Sequence, residues 1–337
     1  MKRYSCWIFI WAILLITFTG LSCGGKEIPN TSYPTPATTR PADTTPIVIE
    51  KPETRTVYPL QVSDDLSRKI TIEKIPQRIV SLAPSITEIL FALGLEDRVV
   101  GVTDYCDYPE GAKAKPRVAS YTTPNMEKLI SIQPDIIFAE SIHEKTVLPA
   151  LQNLNLKVAV TSARSIDAVL HDIELIGKIA DKQDAANNVT TELRKKIDTI
   201  SQKTQGLTEA MRPRVLYVVW FEPIWSMGSN TYINDLIYAA GGLNIFADDF
   251  EKSRIVSLES IIVANPQVII VTGMATSGDT IYNAVRSESR LGNTEAMLNN
   301  RIYKVSDANI IERPGPRIVL GLQELAQLIH PEIFGVK

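Results

Sequence analysis

The sequence predicts an α/β protein of two similar lobes, in which mostly parallel central sheets are flanked by helices and one long rigid helix joins the lobes. Three observations predict this fold. Short apolar runs alternate with helical patterns, one pattern of helix, proline and strand occurs twice, and a long amphipathic segment separates its two copies. Strands that alternate with helices form right-handed crossover units, and these produce parallel sheets.

The predicted strands are short runs rich in β-branched and other apolar residues, as is typical of buried strands. In the first half they cover residues 79–82, 99–102, 136–139 and 158–160, and in the second half residues 215–219, 268–272 and 302–305. Each half therefore contains enough strands for a sheet of its own. A chain of 337 residues also exceeds one typical core, which favours two domains.

An internal repeat relates the two halves. Residues 125–137 and 257–269 match position for position, each with a capped short helix, a proline break and a buried strand. The shared positions are the cap, an acid two residues later and the proline: Asn125, Glu127 and Pro134 in one copy, Ser257, Glu259 and Pro266 in the other. Two copies are too few for a solenoid, so the repeat predicts two similar lobes.

The lobes are predicted to be joined by a single helix. Apolar residues recur at helical spacing across residues 165–204. We therefore predict an N-terminal lobe at residues 59–163, an interdomain helix at 164–206 and a C-terminal lobe at 207–337. Because a continuous helix is stiff, only a small closing motion of the lobes is expected.

The N-terminus carries an export signal. Lys2 and Arg3 precede an apolar run at residues 7–18, which is shorter than the roughly 20 residues that span a bilayer. Residues 1–22 are thus predicted to be a signal peptide. Residues 21–24 resemble a bacterial lipobox, which implies that Cys23 is acylated and holds the protein on the outer face of the cytoplasmic membrane. The alternative is a soluble secreted protein cut nearby.

Residues 23–58 predict a lipidated N-terminus followed by a tether, because they are rich in proline and threonine and lack apolar periodicity. Cys106 would have no partner after processing, so no disulfide framework is predicted. A net charge of −3 leaves no strongly basic surface for nucleic acid. No complete phosphate loop or His-Glu-x-x-His motif occurs, and the sequence does not predict an enzyme.

Two segments carry a family resemblance. Residues 78–88, Arg-Ile-Val-Ser-Leu-Ala-Pro-Ser-Ile-Thr-Glu, resemble the opening strand and helix of the helical-backbone substrate-binding proteins of ABC importers for cobalamin, haem and iron-siderophores. Residues 101–109, Gly-Val-Thr-Asp-Tyr-Cys-Asp-Tyr-Pro, resemble the cobalamin branch. The resemblance covers about residues 64–330 and implies a cleft between the lobes that captures a corrinoid. Siderophore or haem binding remains an alternative, as does a chelatase-like enzyme.

The resemblance implies a set of ligand-binding residues at the ends of strands, where ligands bind in α/β folds. Tyr105, Tyr121 and Trp225 or its neighbour Trp220 would form an aromatic wall, and Asp307 and Arg313 a polar pair. Glu140 stands where related proteins carry tryptophan. The alternative is that the aromatics are ordinary half-buried loop residues.

His143 is a candidate axial ligand for a metal chelate, although a lone histidine more often only hydrogen-bonds in its loop. No other metal ligand is predicted, and no cofactor is expected apart from the transported cobalamin-like ligand.

Glu127 and Glu259 occupy equivalent positions in the repeat. The resemblance implies that one acid of each lobe docks on the ABC permease dimer, which works with ATPase subunits. Alternatively, both merely supply favourable charge at a helix N-terminus. The protein is expected to be a monomer.

Overall fold

Two parallel sheets form the centres of the two halves of the molecule. The computed structural model describes residues 55–273 and 278–335. Within the first half, the strands are β1 (Leu60–Ser63), β2 (Lys69–Ile72), β3 (Ile79–Ser81), β4 (Val99–Thr103), β5 (Arg117–Ala119), β6 (Ile136–Glu140) and β7 (Val158–Thr161). The helices are α1 (Pro84–Ala92), α2 (Met126–Ser131) and α3 (Val147–Asn153).

The sheet of the first half has the strand order β5-β4-β3-β6-β7, and its neighbouring strands are parallel. Ile79 lies opposite Ile136 in the pairing of β3 with β6. Both residues are fully buried, as expected for a parallel sheet that helices cover on both faces. Strands β1 and β2 form a separate antiparallel hairpin.

Two helices follow, α4 (Ile166–Ile179) and α5 (Gln183–Thr204). The second half then contains β8 (Arg214–Val218), β9 (Trp225–Ser226), α6 (Tyr232–Ala239), β10 (Leu243–Asn244), β11 (Arg254–Ile255), α7 (Leu258–Ala264), β12 (Val268–Val271), α8 (Gly278–Ser287), α9 (Glu295–Leu298), β13 (Ile302–Lys304), α10 (Asn309–Glu312), α11 (Ile318–Ile329) and α12 (Pro331–Phe334). Its parallel sheet has the order β10-β8-β12-β13, and β9 pairs with β11 in a short antiparallel ribbon.

The predicted single interdomain helix is wrong, because a turn separates α4 from α5. Asp181 has a left-handed backbone with φ of 55°, and the Lys182 amide donates to the Gly177 carbonyl at 2.7 Å. The two helices then run back along each other. A Cβ added at Gly177 would lie 2.5 Å from the Ala186 Cβ, so this close approach requires glycine.

One apolar core continues through both halves. It contains Ile79 of β3, Ile173 of α4 and Ile270 of β12, together with much of α1, α6 and α11. Two smaller clusters cover the other face of each sheet. The α/β class with parallel sheets flanked by helices is therefore confirmed, and every strand predicted above is present.

The N-terminal predictions fall mostly outside the described residues. The signal peptide, Cys23 and the tether up to residue 54 belong to this part of the chain. Across residues 55–273 and 278–335, no helix combines the length and apolar character needed to cross a membrane.

Candidate ligand-binding cleft

A cavity of about 390 Å³ lies between the two halves. Its walls come from both sheets at the ends of strands: Glu140 ends β6, Thr161 ends β7 and Val219 follows β8. Helices contribute Asp172 and Tyr232, from α4 and α6. This is the location at which α/β folds bind ligands, because loops at the carboxyl ends of parallel strands converge there.

A second cavity of about 360 Å³ adjoins the first. The two share the lining residues Ser85, Tyr121, Glu140, Glu312 and Pro314. Tyr105 and Arg313 line the second cavity, so the structure places four of the predicted ligand-binding residues, Tyr105, Tyr121, Glu140 and Arg313, around this joined space.

Tyr105 and Tyr121 lie next to each other although sixteen positions separate them in the chain. Their ring centroids are 5.8 Å apart at an interplanar angle of 84°, which is an edge-to-face contact. Both side chains are exposed, at 50% and 47%. They therefore present aromatic surface at the cavity that a flat ligand can cover.

Trp220 and Trp225 pair with each other at the start of the β9 ribbon. The Trp225 amide donates to the Trp220 carbonyl at 3.0 Å, and both indoles are exposed. Neither is among the described residues that line the two cavities. Their predicted role in an aromatic wall is therefore not supported by the positions of their side chains.

Asp307 and Arg313 were predicted as the polar pair of the ligand site, and the structure places Arg313 at the second cavity. Arg313 donates to Asp107 at 2.5 Å and to the Tyr105 carbonyl at 3.3 Å. Asp307 accepts from the Asn309 amide at 2.9 Å and is not among the described lining residues. Only Arg313 of the two faces the cleft.

An ion-pair network that no local sequence pattern marks joins the two halves. Glu88 of α1 is 2% exposed at its side chain and accepts from Arg317 through two hydrogen bonds, of 2.8 Å and 2.6 Å. The Arg313 guanidinium lies 3.5 Å from the same carboxylate. The Arg317 guanidinium also lies 4.0 Å from the centroid of the Tyr108 ring. Burial raises the pKa of Glu88, whereas the two arginines oppose the shift.

A cluster of acids and a phenol lines the first cavity. Glu140 was predicted as a ligand-binding residue, but Asp172, Glu312 and Tyr217 were not. Burial, followed by the neighbouring Asp65 carboxylate, raises the pKa of Asp172 to about 10. Burial likewise raises the pKa of Glu140 and of Glu312. No local pattern revealed these residues, since they come from three distant elements.

His143 does not face the cleft, and the hypothesis of an axial ligand is corrected. Its side chain is buried, and Nδ1 lies 3.2 Å from the Glu140 carbonyl oxygen and 3.3 Å from the Glu140 amide. The ring thus serves the turn after β6. In the part of the chain that the structure describes, no group of three or more His, Cys, Asp or Glu is arranged to hold a metal ion.

Glu127 and Glu259 are exposed in the first turns of α2 and α7. The preceding caps work alike, because the Asn125 side chain accepts from the Lys128 amide and the Ser257 side chain from the Ser260 amide. A hydrogen bond from its own backbone amide, followed by one from the Ser257 side chain, lowers the pKa of Glu259. The sequence repeat is therefore a structural repeat as well.

Known proteins share both the sequence and the fold. Residues 79–308 match the family described as periplasmic binding protein. An uncharacterized ABC transporter substrate-binding lipoprotein of Bacillus subtilis, YvrC, is 30% identical over 82% of this chain and 88% of its own. The crystal structure of the periplasmic vitamin B12 binding protein BtuF of Vibrio cholerae aligns with a TM-score of 0.65 and 26% identity, over 75% of this chain and 96% of its own.

A periplasmic haem-binding protein, RhuT of Roseiflexus, aligns with a TM-score of 0.67 and 25% identity, over 75% of this chain and 98% of its own. These matches confirm the family resemblance that residues 78–88 predicted, whereas the cobalamin branch indicated by residues 101–109 stays a prediction. The chain belongs to the periplasmic binding protein family, the solute-binding and non-enzymatic components of ABC transporters.

Proposed function

We propose that the protein captures a corrinoid in the cleft between its two halves and delivers it to the permease of an ABC importer. The observation that carries the proposal is the joined cavity at the strand ends, with Tyr105 and Tyr121 presenting aromatic surface to it. A corrin is a broad amphipathic disc edged with amides. Aromatic faces bury such a disc, and a few polar groups orient its rim. The similarity to the vitamin B12 binding protein of Vibrio cholerae supports this ligand class.

Haem is the second candidate, and one observation favours it. The Tyr121 ring lines both cavities, and a tyrosine phenol is a known type of axial ligand for haem iron. The similarity to the Roseiflexus haem-binding protein supports the same alternative. An iron-siderophore remains the third candidate, from the family resemblance.

Delivery is proposed to use Glu127 and Glu259. Both acids are exposed, and each occupies the same position of a repeated helix in its own half of the molecule. Duplication of the position suits a permease dimer in which each subunit meets one lobe. Acylation at Cys23 would keep the protein close to that partner, on the outer face of the cytoplasmic membrane.

Ligand titration tests the proposal. Absorption spectra are recorded while purified protein is titrated in turn with cyanocobalamin, haemin and ferric siderophores. Saturable binding of cyanocobalamin is expected. Tyr121→Ala should weaken it about fivefold or more, since loss of an aromatic contact costs on the order of 1 kcal/mol.

Tyr238→Ala is the matched control, because Tyr238 is an exposed tyrosine outside both cavities. The affinity of this variant for cyanocobalamin should equal that of the unmodified protein. Saturable binding of haemin together with no response to cyanocobalamin would replace the corrinoid proposal by the haem alternative.

A further inference from the structure

The first cavity contains buried polar groups that have no hydrogen-bond partner among the described residues. Asp172 of α4 lines this cavity and is 2% exposed. Its Oδ1 has no hydrogen-bond partner among the described residues. Tyr217 of β8 lines the same cavity at 0% exposure, and its hydroxyl is equally unpartnered. Glu312 Oε1, from the opposite side of the cleft, completes the set.

Unpaired buried polar groups are costly, and native proteins pair nearly all of them. Among the described residues, no cation of the site forms a hydrogen bond with these atoms. Arg313 is engaged by Asp107, while Arg164 and Lys252 line the cavity from exposed positions. The Ser85 hydroxyl donates to Glu140, and Thr272 forms a hydrogen bond with the Glu312 carboxyl. Among the described residues, Asp172 Oδ1 and Glu312 Oε1 still have no donor. A bound group with N–H donors would supply what is missing.

We infer that this cavity is a subsite for a ligand arm that donates hydrogen bonds through nitrogen, a primary amide or an ammonium, and that it discriminates against carboxylate arms. The inference rests on the proposed function, since it concerns the same cleft. Amide and ammonium groups bring donors to Asp172 and Glu312. A carboxylate arm brings only acceptors, so it leaves the buried oxygens Asp172 Oδ1 and Glu312 Oε1 without a donor, which is unfavourable for binding.

The pKa shifts agree with this geometry. Burial and the neighbouring Asp65 raise the pKa of Asp172 to about 10, and burial raises the pKa of Glu312 although Thr272 and Arg313 oppose that shift. A protonated carboxyl still keeps an oxygen that accepts a hydrogen bond. The ligand class follows. Chelates edged with amides or amines fit the cavity, whereas chelates edged with carboxylates, such as haem with its propionates, do not.

The test compares two corrins that share a ring and differ in their arms. Dicyanocobinamide carries amide arms, and dicyanocobyrinic acid carries carboxylates at the same positions. By isothermal titration, the unmodified protein should bind the amide corrin at least about tenfold more tightly, as expected for loss of buried hydrogen bonds. The double variant Asp172→Asn/Glu312→Gln should reduce this ratio to below about threefold.

Asp167→Asn is the matched control, because Asp167 is an exposed acid on the same helix. This variant should keep the same ratio of affinities for the amide corrin and the carboxylate corrin as the unmodified protein. Equal affinity of the unmodified protein for both corrins overturns the inference, as does an unchanged ratio in a folded double variant. If the double variant does not fold, Asp172→Asn alone is measured against the same ratio.

A second probe pair separates this inference from the corrinoid proposal. Ferrioxamine B carries a pendant ammonium, and ferric citrate is anionic. If neither corrin binds but ferrioxamine B binds more tightly than ferric citrate, and the double variant loses that preference, the subsite stands and the corrinoid proposal fails. If both corrins bind equally, the corrinoid proposal stands and the subsite fails. Binding of none of the four probes overturns both.

Discussion

Substitution of Glu88 by glutamine tests whether the ion-pair network holds the two halves together. Glu88 is 2% exposed at its side chain, and its two arginine partners are 12% and 14% exposed. Arg317 reaches it through two hydrogen bonds, whereas Arg313 is 3.5 Å away. Glutamine keeps the shape of the side chain but removes the charge, so it leaves two buried arginines without their shared counter-ion.

The expected loss of stability is about 2–3 kcal/mol. Removal of one partner from a buried ion pair typically costs about 3–5 kcal/mol. We expect a loss of stability at or below the lower end of this range, because both arginines keep other partners. Arg313 retains Asp107 at 2.5 Å, and Arg317 retains Asp307 at 3.5 Å and the ring of Tyr108. Burial also raises the pKa of Glu88 despite both arginines, so the pairing offsets the cost of burial only in part.

Urea denaturation followed by circular dichroism measures the effect, as a lower midpoint at an unchanged slope. Glu174→Gln is the matched control. Glu174 pairs with Arg194 at 3.0 Å on the surface, where the side chains are 37% and 50% exposed, and such pairs contribute about 1 kcal/mol or less. If Glu88→Gln costs no more than this control, the argument that the network joins the two halves is refuted.

Three further predictions concern titration, anchoring and delivery. Stability should fall as pH rises from about 4 towards 10, because burial and Asp65 raise the pKa of Asp172 and folding then favours its protonated form; Asp172→Asn should flatten this slope by up to about 1.4 kcal/mol per pH unit in denaturation midpoints. Cys23→Ser should release the protein from membranes, and a variant that still partitions quantitatively into detergent would contradict the lipobox prediction. Glu127→Arg/Glu259→Arg should abolish uptake into vesicles that carry the cognate permease while ligand titrations stay unchanged; normal transport would reduce both acids to helix-end charges.

The strands could be predicted because parallel strands covered on both faces consist of nearly continuous apolar residues. Residues 268–271 are all buried, and so are residues 136–139. The turn at Asp181 escaped prediction for the opposite reason. Apolar residues on both sides of it keep a helical spacing, so the pattern continues while the backbone reverses. Gly177 permits the reversal because it is small where it faces Ala186. This role cannot be predicted from the sequence until the helix that packs against Gly177 is known.

The candidate site was predictable only where a motif marks a strand end. Tyr105 and Tyr121 follow β4 and β5, which are neighbours in the sheet, so both side chains emerge at one edge. Asp172 and Glu312 carry no such mark. An acid in an amphipathic helix ordinarily faces solvent. Only the convergence of α4 with α10 and β8 buries these carboxyls beside one cavity.

Two separate contacts of the arginines allow ligand capture without loosening the two halves. Arg313 lines the second cavity, so a ligand can draw its guanidinium away from Asp107. Arg317 would still hold Glu88 through both of its hydrogen bonds, and the core that continues through Ile173 would be unaffected. A small closing motion was first expected from one stiff helix over residues 164–206, a segment that the structure divides into α4 and α5. We still expect it, because a shared core and a buried ion pair resist separation of the two halves more directly than one helix would.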